Sequence, residues 1–173
     1  WYQLARLPVI VPNKPLHHPC RRELDIEDCT AKAAIETIRR GRKILLYQGH
    51  ISADRDLRPL AEASRLLDNE WKVILLGRVH GNYLDELVKI GPQILWLPEV
   101  PAPRHLQITS HAHVGMITYS RESLNNVFCA PNKVWEYSGF EIPMICSDLP
   151  PLRSLIERYD AGICVQEWNS DSI

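Results

Sequence analysis

The chain has 173 residues, 20 of them Lys or Arg and 21 Asp or Glu, for a formal net charge of -1. That length suits one domain, or one domain with an arm, and the near-neutral balance offers polyanions no global attraction, which argues against nucleic acid as a partner. No apolar run approaches the roughly 20 residues that cross a bilayer, the longest being of the ILLY, VILLG and PMIC kind.

Residues 1–20 carry prolines at 8, 12, 15 and 19 and read as an extended arm or interdomain linker. They lack the charged head, apolar core and small-residue cleavage site of a secretory signal. Residues 21–173 read as one domain. Cys29 to Arg40 predicts a leading helix with Asp28 or Thr30 as its cap. From about Arg42, short apolar runs alternate with segments of helical period, the pattern of a parallel sheet with crossover helices. The runs are Ile44 to Tyr47, Val73 to Leu76, Ile94 to Leu97, Val114 to Thr118, Pro143 to Cys146 and Gly162 to Val165.

Between the first two runs, Leu57, Leu60, Ala61, Ser64 and Leu67 recur at three and four residues, opposite Arg58, Glu62, Arg65 and Asp68. This predicts an amphipathic crossover helix. Tyr83 to Ile90 predicts a second, stopped by Gly91-Pro92. Prolines open three more, since their fixed φ suits a first turn: Pro101 and Pro103 before Leu106, Pro131 before Val134, and Pro150-Pro151 before Leu152. The expected fold class is α/β, a Rossmann-like doubly wound parallel sheet of about six strands with helices on both faces. Ligands of such sheets sit beyond the carboxyl ends of the strands.

Cys20, Cys29, Cys129, Cys146 and Cys164 form no C-x-x-C pair and are odd in number, which fits free thiols in a reducing cytosol. Cys146 and Cys164 lie in apolar runs and read as small core residues.

Two loops carry candidate chemistry. Gln48-Gly49-His50-Ile51-Ser52-Ala53-Asp54-Arg55 follows the first strand and precedes a helix, a junction that offers backbone N–H groups and a positive helix end to a phosphate. Read blandly, it is an ordinary βα turn with a solvated arginine. The second segment, Asn125 to Gly139, passes from a polar turn into the helix opened by Pro131. Early in that helix Lys133 can meet a phosphate, while Glu136, one turn on, can accept hydrogen bonds from a ribose diol. The competing interpretation is a surface ion pair between Lys133 and Glu136.

The order of these features resembles the C-terminal, donor-binding half of retaining GT-B glycosyltransferases of the group 1 type. The similarity runs through LLYQGHISADRDL, VILLGRVHG and SLNNVFCAPNKVWEYSGFEIPMICSDLPPLRSLI. Its most specific part is the P-N-K-x-x-E-Y run followed by G-x-P-x-x-x-S-D, and about two-thirds of the chain takes part. The resemblance implies catalytic roles for Glu136, matching the second glutamate of an E-x7-E motif that holds the nucleotide ribose, and for Arg55, which falls where the family neutralises the donor diphosphate. It implies substrate contacts at Gly49 and His50 in the glycine loop and at Arg78 after the second strand. Asn125, Asn126, Ala130, Asn132 and Lys133 complete the set, with amides at Gly49 and near Phe128 to Ala130 forming a phosphate cradle. Phe128 stands eight residues before Glu136, so the first glutamate of E-x7-E is absent at that spacing, and Asn125, Asn126 or Glu122 is left to substitute through a longer loop.

The implied activity is transfer of a hexosyl group from a nucleotide diphosphate sugar to an acceptor with retention of configuration. The implied substrate is that donor, with no cofactor and no metal, in keeping with the absence of a D-x-D motif. The implied partner is an N-terminal acceptor domain of the same protein, the present chain lacking it and the closing C-terminal helix, and being inactive in transfer by itself. Localisation is expected to be cytoplasmic, the whole enzyme being free or peripheral at the inner membrane face. The alternative is a non-catalytic α/β nucleotide- or partner-binding module. A receiver domain would need a carboxylate ending a central strand, and a dinucleotide oxidoreductase would need G-x-G-x-x-G; neither is present. His111 and His113 alternate like a metal pair without a nearby third ligand. His17-His18 reads as solvated, and Trp71, Trp96 and Trp135 as packing residues.

Overall fold

The computed structural model describes Val9, residues 17–38 and residues 41–173. Most of the expected arm, and Arg39 and Arg40 of the expected leading helix, lie outside the described residues. The elements in chain order are α1 (Cys29–Ile38), β1 (Lys43–Gln48), a 3-10 turn (Ala53–Arg55), α2 (Arg58–Ala63), β2 (Trp71–Leu76), α3 (Tyr83–Ile90), β3 (Leu95–Leu97) and α4 (His105–Thr109). There follow β4 (Val114–Ile117), α5 (Leu124–Val127), α6 (Lys133–Ser138), β5 (Met144–Ser147), α7 (Pro150–Tyr159) and β6 (Gly162–Val165). None of the described helices is long and apolar enough to cross a membrane.

The strands form one sheet in the order β3-β2-β1-β4-β5-β6, and all neighbours pair parallel. Central β1 is buried along Ile44 to Gln48, as a strand covered on both faces must be. The alternation of its side chains divides the core. Ile44 and Leu46 join Ile74, Leu76, Ile117 and Cys146 in a cluster that takes in α1, α4, α6 and α7. Leu45 and Tyr47 join Val73, Leu75 and Met116 against α2 and α3. Each fully buried aliphatic side chain of these two layers contributes about 1.5–3 kcal/mol.

Asp28 caps α1, its Oδ1 accepting from the Ala31 N–H at 2.8 Å. Helix α2 stops at Ala63, short of Leu67, because the chain tightens: Arg65 and Leu66 donate to Glu62 and Ala63, three residues back. The Asn125-Asn126 turn is one turn of helix, capped where Ser123 Oγ accepts from the Asn126 N–H. At the described end of the arm, His18 packs edge-on against Phe140 and its Nε2 lies 3.1 Å from the Glu136 carbonyl oxygen. His18 is thus docked, not solvated. All five cysteines are free, with Cys146 buried and Cys164 partly buried.

The chain leaves β1 toward β2 on one side, returns after β3, and enters β4 on the other side of β1. Loops leaving β1 and β4 therefore diverge, and a crevice opens between them.

Candidate functional site

The floor of that crevice is backbone. After Gln48 the chain keeps pairing with the loop beyond β2: the Gly49 N–H donates to the Leu76 carbonyl at 2.8 Å, Ile51 to Arg78 at 2.8 Å and His80 to Ile51 at 3.0 Å. Gly77 has φ +147°, and a Cβ there would stand 1.9 Å from the Gly49 carbonyl oxygen. The approach is one only glycine permits. It also corrects the cradle expected at Gly49, whose amide is already committed to Leu76. Gly49 contributes room, not an N–H.

The wall is α6. Tyr137 donates its hydroxyl to the Leu46 carbonyl at 2.9 Å, and its ring covers Gly115, where a Cβ would meet it at 2.5 Å. Helix α6 is seated directly on β1 and β4, which turns Lys133 and Glu136 toward the glycine loop. The resulting cleft has a volume of about 300 Å³ and is lined by Gln48, Gly49, His50, Arg78, Glu99, His105, Tyr119, Asn132, Lys133 and Glu136, among others.

Glu136 is held at both oxygens. His105 Nε2 lies 3.1 Å from Oε1, and the Gln48 amide donates to Oε2 at 2.5 Å. Burial alone would raise its pKa, but the hydrogen bond and charge of His105, the Gln48 amide and the charge of Lys133 outweigh it and leave the pKa below its ordinary value. The group is a carboxylate at neutral pH.

Lys133 does not pair with Glu136 at ion-pair distance. Its ammonium lies 4.1 Å from the Tyr47 ring centroid and 5.3 Å from that of Tyr119, and 3.2 Å from where a Gly49 Cβ would be. Burial, followed by the charge of Arg55, pulls its pKa down to about 7 against the opposing pull of Glu136. Ring faces return only part of the hydration that the ammonium has lost. A group with two or more negative charges in the cleft would supply the rest.

Of the residues singled out in the sequence, Gly49, His50, Arg78, Asn132, Lys133 and Glu136 meet in this cleft. His50 is exposed and its ring lies 4.9 Å from that of His80. Arg78 is tied to Glu99 by Nε at 3.0 Å and by a terminal nitrogen at 2.9 Å. Arg55 is not in the lining: its guanidinium carbon lies 4.5 Å from the Tyr119 ring centroid, with Nε 3.5 Å from Asp54. Asn125 and Ala130 are exposed outside the cleft. Asn126 is buried, and its Nδ2 donates to the Asp54 carbonyl and to Ser120 Oγ, both at 3.3 Å, which ties the loop after β4 to the loop after β1. The Phe128 N–H is committed to the Leu124 carbonyl, so it too departs from the expected cradle.

The sequence reading placed Gln48 at the head of the candidate loop without giving it a role, and it overlooked His105 and Tyr119. The available signal was a glutamine ending an otherwise apolar strand run, where a buried amide demands a partner. Tyr119 also borders a second cleft of about 580 Å³ that includes Asp54, Arg58, Arg121 and Asp148. An apolar groove of about 440 Å³ between α6 and α7 opens at the amino ends of β5 and β6, away from these groups. Among the described residues no three His, Cys, Asp or Glu side chains converge as a metal-binding group. His111 Nε2 faces the Leu24 carbonyl and His113 Nδ1 accepts from the Ile44 N–H.

No family model matches this sequence, and no curated protein is found to match it. Solved structures do match. A glycosyltransferase from Rickettsia africae superposes with a TM-score of 0.65 at 12% identity, over 83% of this chain and 39% of that one. Anabaena HepE, solved in complex with UDP and glucose, gives 0.63 at 15% identity over 81% and 40%. Sucrose-phosphate synthase from Thermosynechococcus elongatus gives 0.61 at 16% identity over 85% and 38%. The chain has the Rossmann-like fold of one half of a GT-B glycosyltransferase. It spans about two fifths of the length of these structures.

Proposed function

We propose that this chain is the donor-binding half of a retaining glycosyltransferase and that the cleft between β1 and α6 takes the nucleotide diphosphate of a hexosyl donor. The observation that carries this reading is the pair on α6: a desolvated ammonium, Lys133, one turn ahead of a fully ionised and oriented carboxylate, Glu136, at the switch point of the sheet. Glu136 accepts the ribose hydroxyls. Lys133 meets the diphosphate above Gly49, and Arg55, over the Tyr119 ring, adds charge as the leaving group departs.

His50 and Arg78 flank the mouth, and Asn132 lines it. Asn125, Asn126 and Ala130 belong to the loop on the sugar side. Cationic side chains then neutralise the leaving diphosphate, so the reaction calls for neither metal nor cofactor. The acceptor belongs to a second domain, as the two-fifths coverage of the related structures suggests, and this chain by itself binds nucleotide without transferring sugar. The UDP and glucose held by the Anabaena protein support UDP as the first nucleotide to try.

Calorimetric titration with UDP, GDP and ADP tests the reading, with Glu136→Ala as control. Binding of one of them, weakened about tenfold or more by the substitution, is the expected result. No heat with any nucleotide, or an unchanged affinity in the variant, overturns it.

A further inference from the structure

We infer that His105 and Gln48 are positioning residues that fix the Glu136 carboxylate in one orientation, and that this fixation lets the cleft distinguish ribonucleotides from deoxyribonucleotides. The inference rests on the nucleotide reading above and deepens it. A glutamate side chain has three torsions, and an unrestrained carboxylate can follow whichever hydroxyl is offered. Here it cannot.

His105 Nε2 lies 3.1 Å from Oε1, and because a carboxylate only accepts, that nitrogen carries the proton. Gln48 donates to Oε2 from a strand 88 residues away in sequence. The orientation of Gln48 is itself set, since its Oε1 accepts from Thr109 Oγ1 at 2.7 Å. Thr109 stands one turn beyond His105 on α4 and is fully buried. Helix α4 therefore grips both carboxylate oxygens, one directly and one through the strand. Each oxygen retains lone-pair capacity, and Glu136 lines the cleft, so a diol can complete what the protein has left open. A 2′-deoxy ligand removes a donor from a carboxylate that cannot turn to find another, so the missing hydroxyl is penalised instead of being compensated by a moved side chain.

The test measures the affinity ratio of UDP to 2′-deoxy-UDP, with the GDP and ADP pairs in parallel, for the chain and four variants, each with its thermal midpoint recorded. The wild type is expected to favour the ribonucleotide about tenfold or more. His105→Ala should reduce that ratio to about threefold or less, whereas His105→Gln, which keeps an N–H donor, should restore most of it. Thr109→Val leaves Glu136 and His105 intact, conserves volume and frees Gln48, so it should lower the ratio while the fold persists. A ratio unchanged in both His105→Ala and Thr109→Val, with Glu136→Ala still impairing binding, overturns this inference and spares the donor-site reading. Absence of binding by every nucleotide, or indifference to Glu136→Ala, removes both.

Discussion

A Cβ on Gly77 would stand 1.9 Å from the carbonyl oxygen of Gly49. The loops leaving β1 and β2 are in backbone contact. Gly77→Ala has to adopt φ near +147° or push the loops apart, at a cost of about 1–3 kcal/mol. For a domain of this size each kcal/mol is worth about 2–4 °C. The expected outcome is a thermal midpoint lowered by several degrees and weaker nucleotide binding; an unchanged midpoint would show that the loops part freely.

Lys133 gives a stability effect whose sign depends on pH. Its folded pKa of about 7 lies below the ordinary lysine value of 10.5, so between those limits the unfolded chain holds a proton that the folded chain lacks, and stability rises with pH. Below about pH 7 the folded protein bears the full cost of a poorly compensated ammonium. Lys133→Met should therefore stabilise the chain at pH 6, by about 1–3 kcal/mol, with the gain shrinking toward pH 10. Chemical denaturation at pH 6, 8 and 10 measures it. A gain that grew with pH would contradict the assignment.

If a nucleotide diphosphate takes its place beside Lys133, its negative charge raises that pKa and the site takes up a proton between about pH 7 and 10. Titrations at pH 8, where the free diphosphate is already fully ionised, should give different apparent heats in buffers of different ionisation enthalpy, with the difference vanishing in Lys133→Met. Identical heats in all buffers at pH 8 would mean that the amine is already charged.

Arg55 and Lys133 lie over the same ring, Tyr119, and the charge of Arg55 helps lower the lysine pKa. Arg55→Gln is expected to move the Lys133 titration upward from about 7. Its readout is the lysine Cε carbon shift followed by NMR through pH 6 to 10. No movement would mean that the two cations are electrostatically separate.

The strands and most helices were legible because a doubly covered parallel sheet writes itself as uninterrupted apolar runs separated by helical periods. Pro150 occupies the first turn of α7 as expected, whereas Pro103 and Pro131 stand two residues ahead of α4 and α6 and mark the approach, not the first turn. The end of α2 was not legible, since tightening into three-residue turns leaves the pattern of Leu60, Ser64 and Leu67 almost unaltered. Within the cleft, Lys133 and Glu136 were found because one helical turn joins them. The contacts of Gln48 and His105 with Glu136 escaped because they are created by the order of strands and by the docking of α4 beside α6, and no local spacing encodes that. The anchoring of Asn126, whose amide N–H groups go to Asp54 and Ser120, is likewise a product of loop docking and not of local spacing.

The seating of Tyr137 over Gly115 and against Leu46 has a consequence for how such a domain can diversify. The depth and azimuth of α6 are set by the sheet, so Glu136 and Lys133 move only if β1 or β4 moves. The loop from Ser120 to Ala130 is tied down by side chains and loop backbone instead, through Ser120 and Asn126 to the Asp54 carbonyl and through Arg121 to Asp148. Phe128 is exposed, so replacements there leave the helix that follows in its seat.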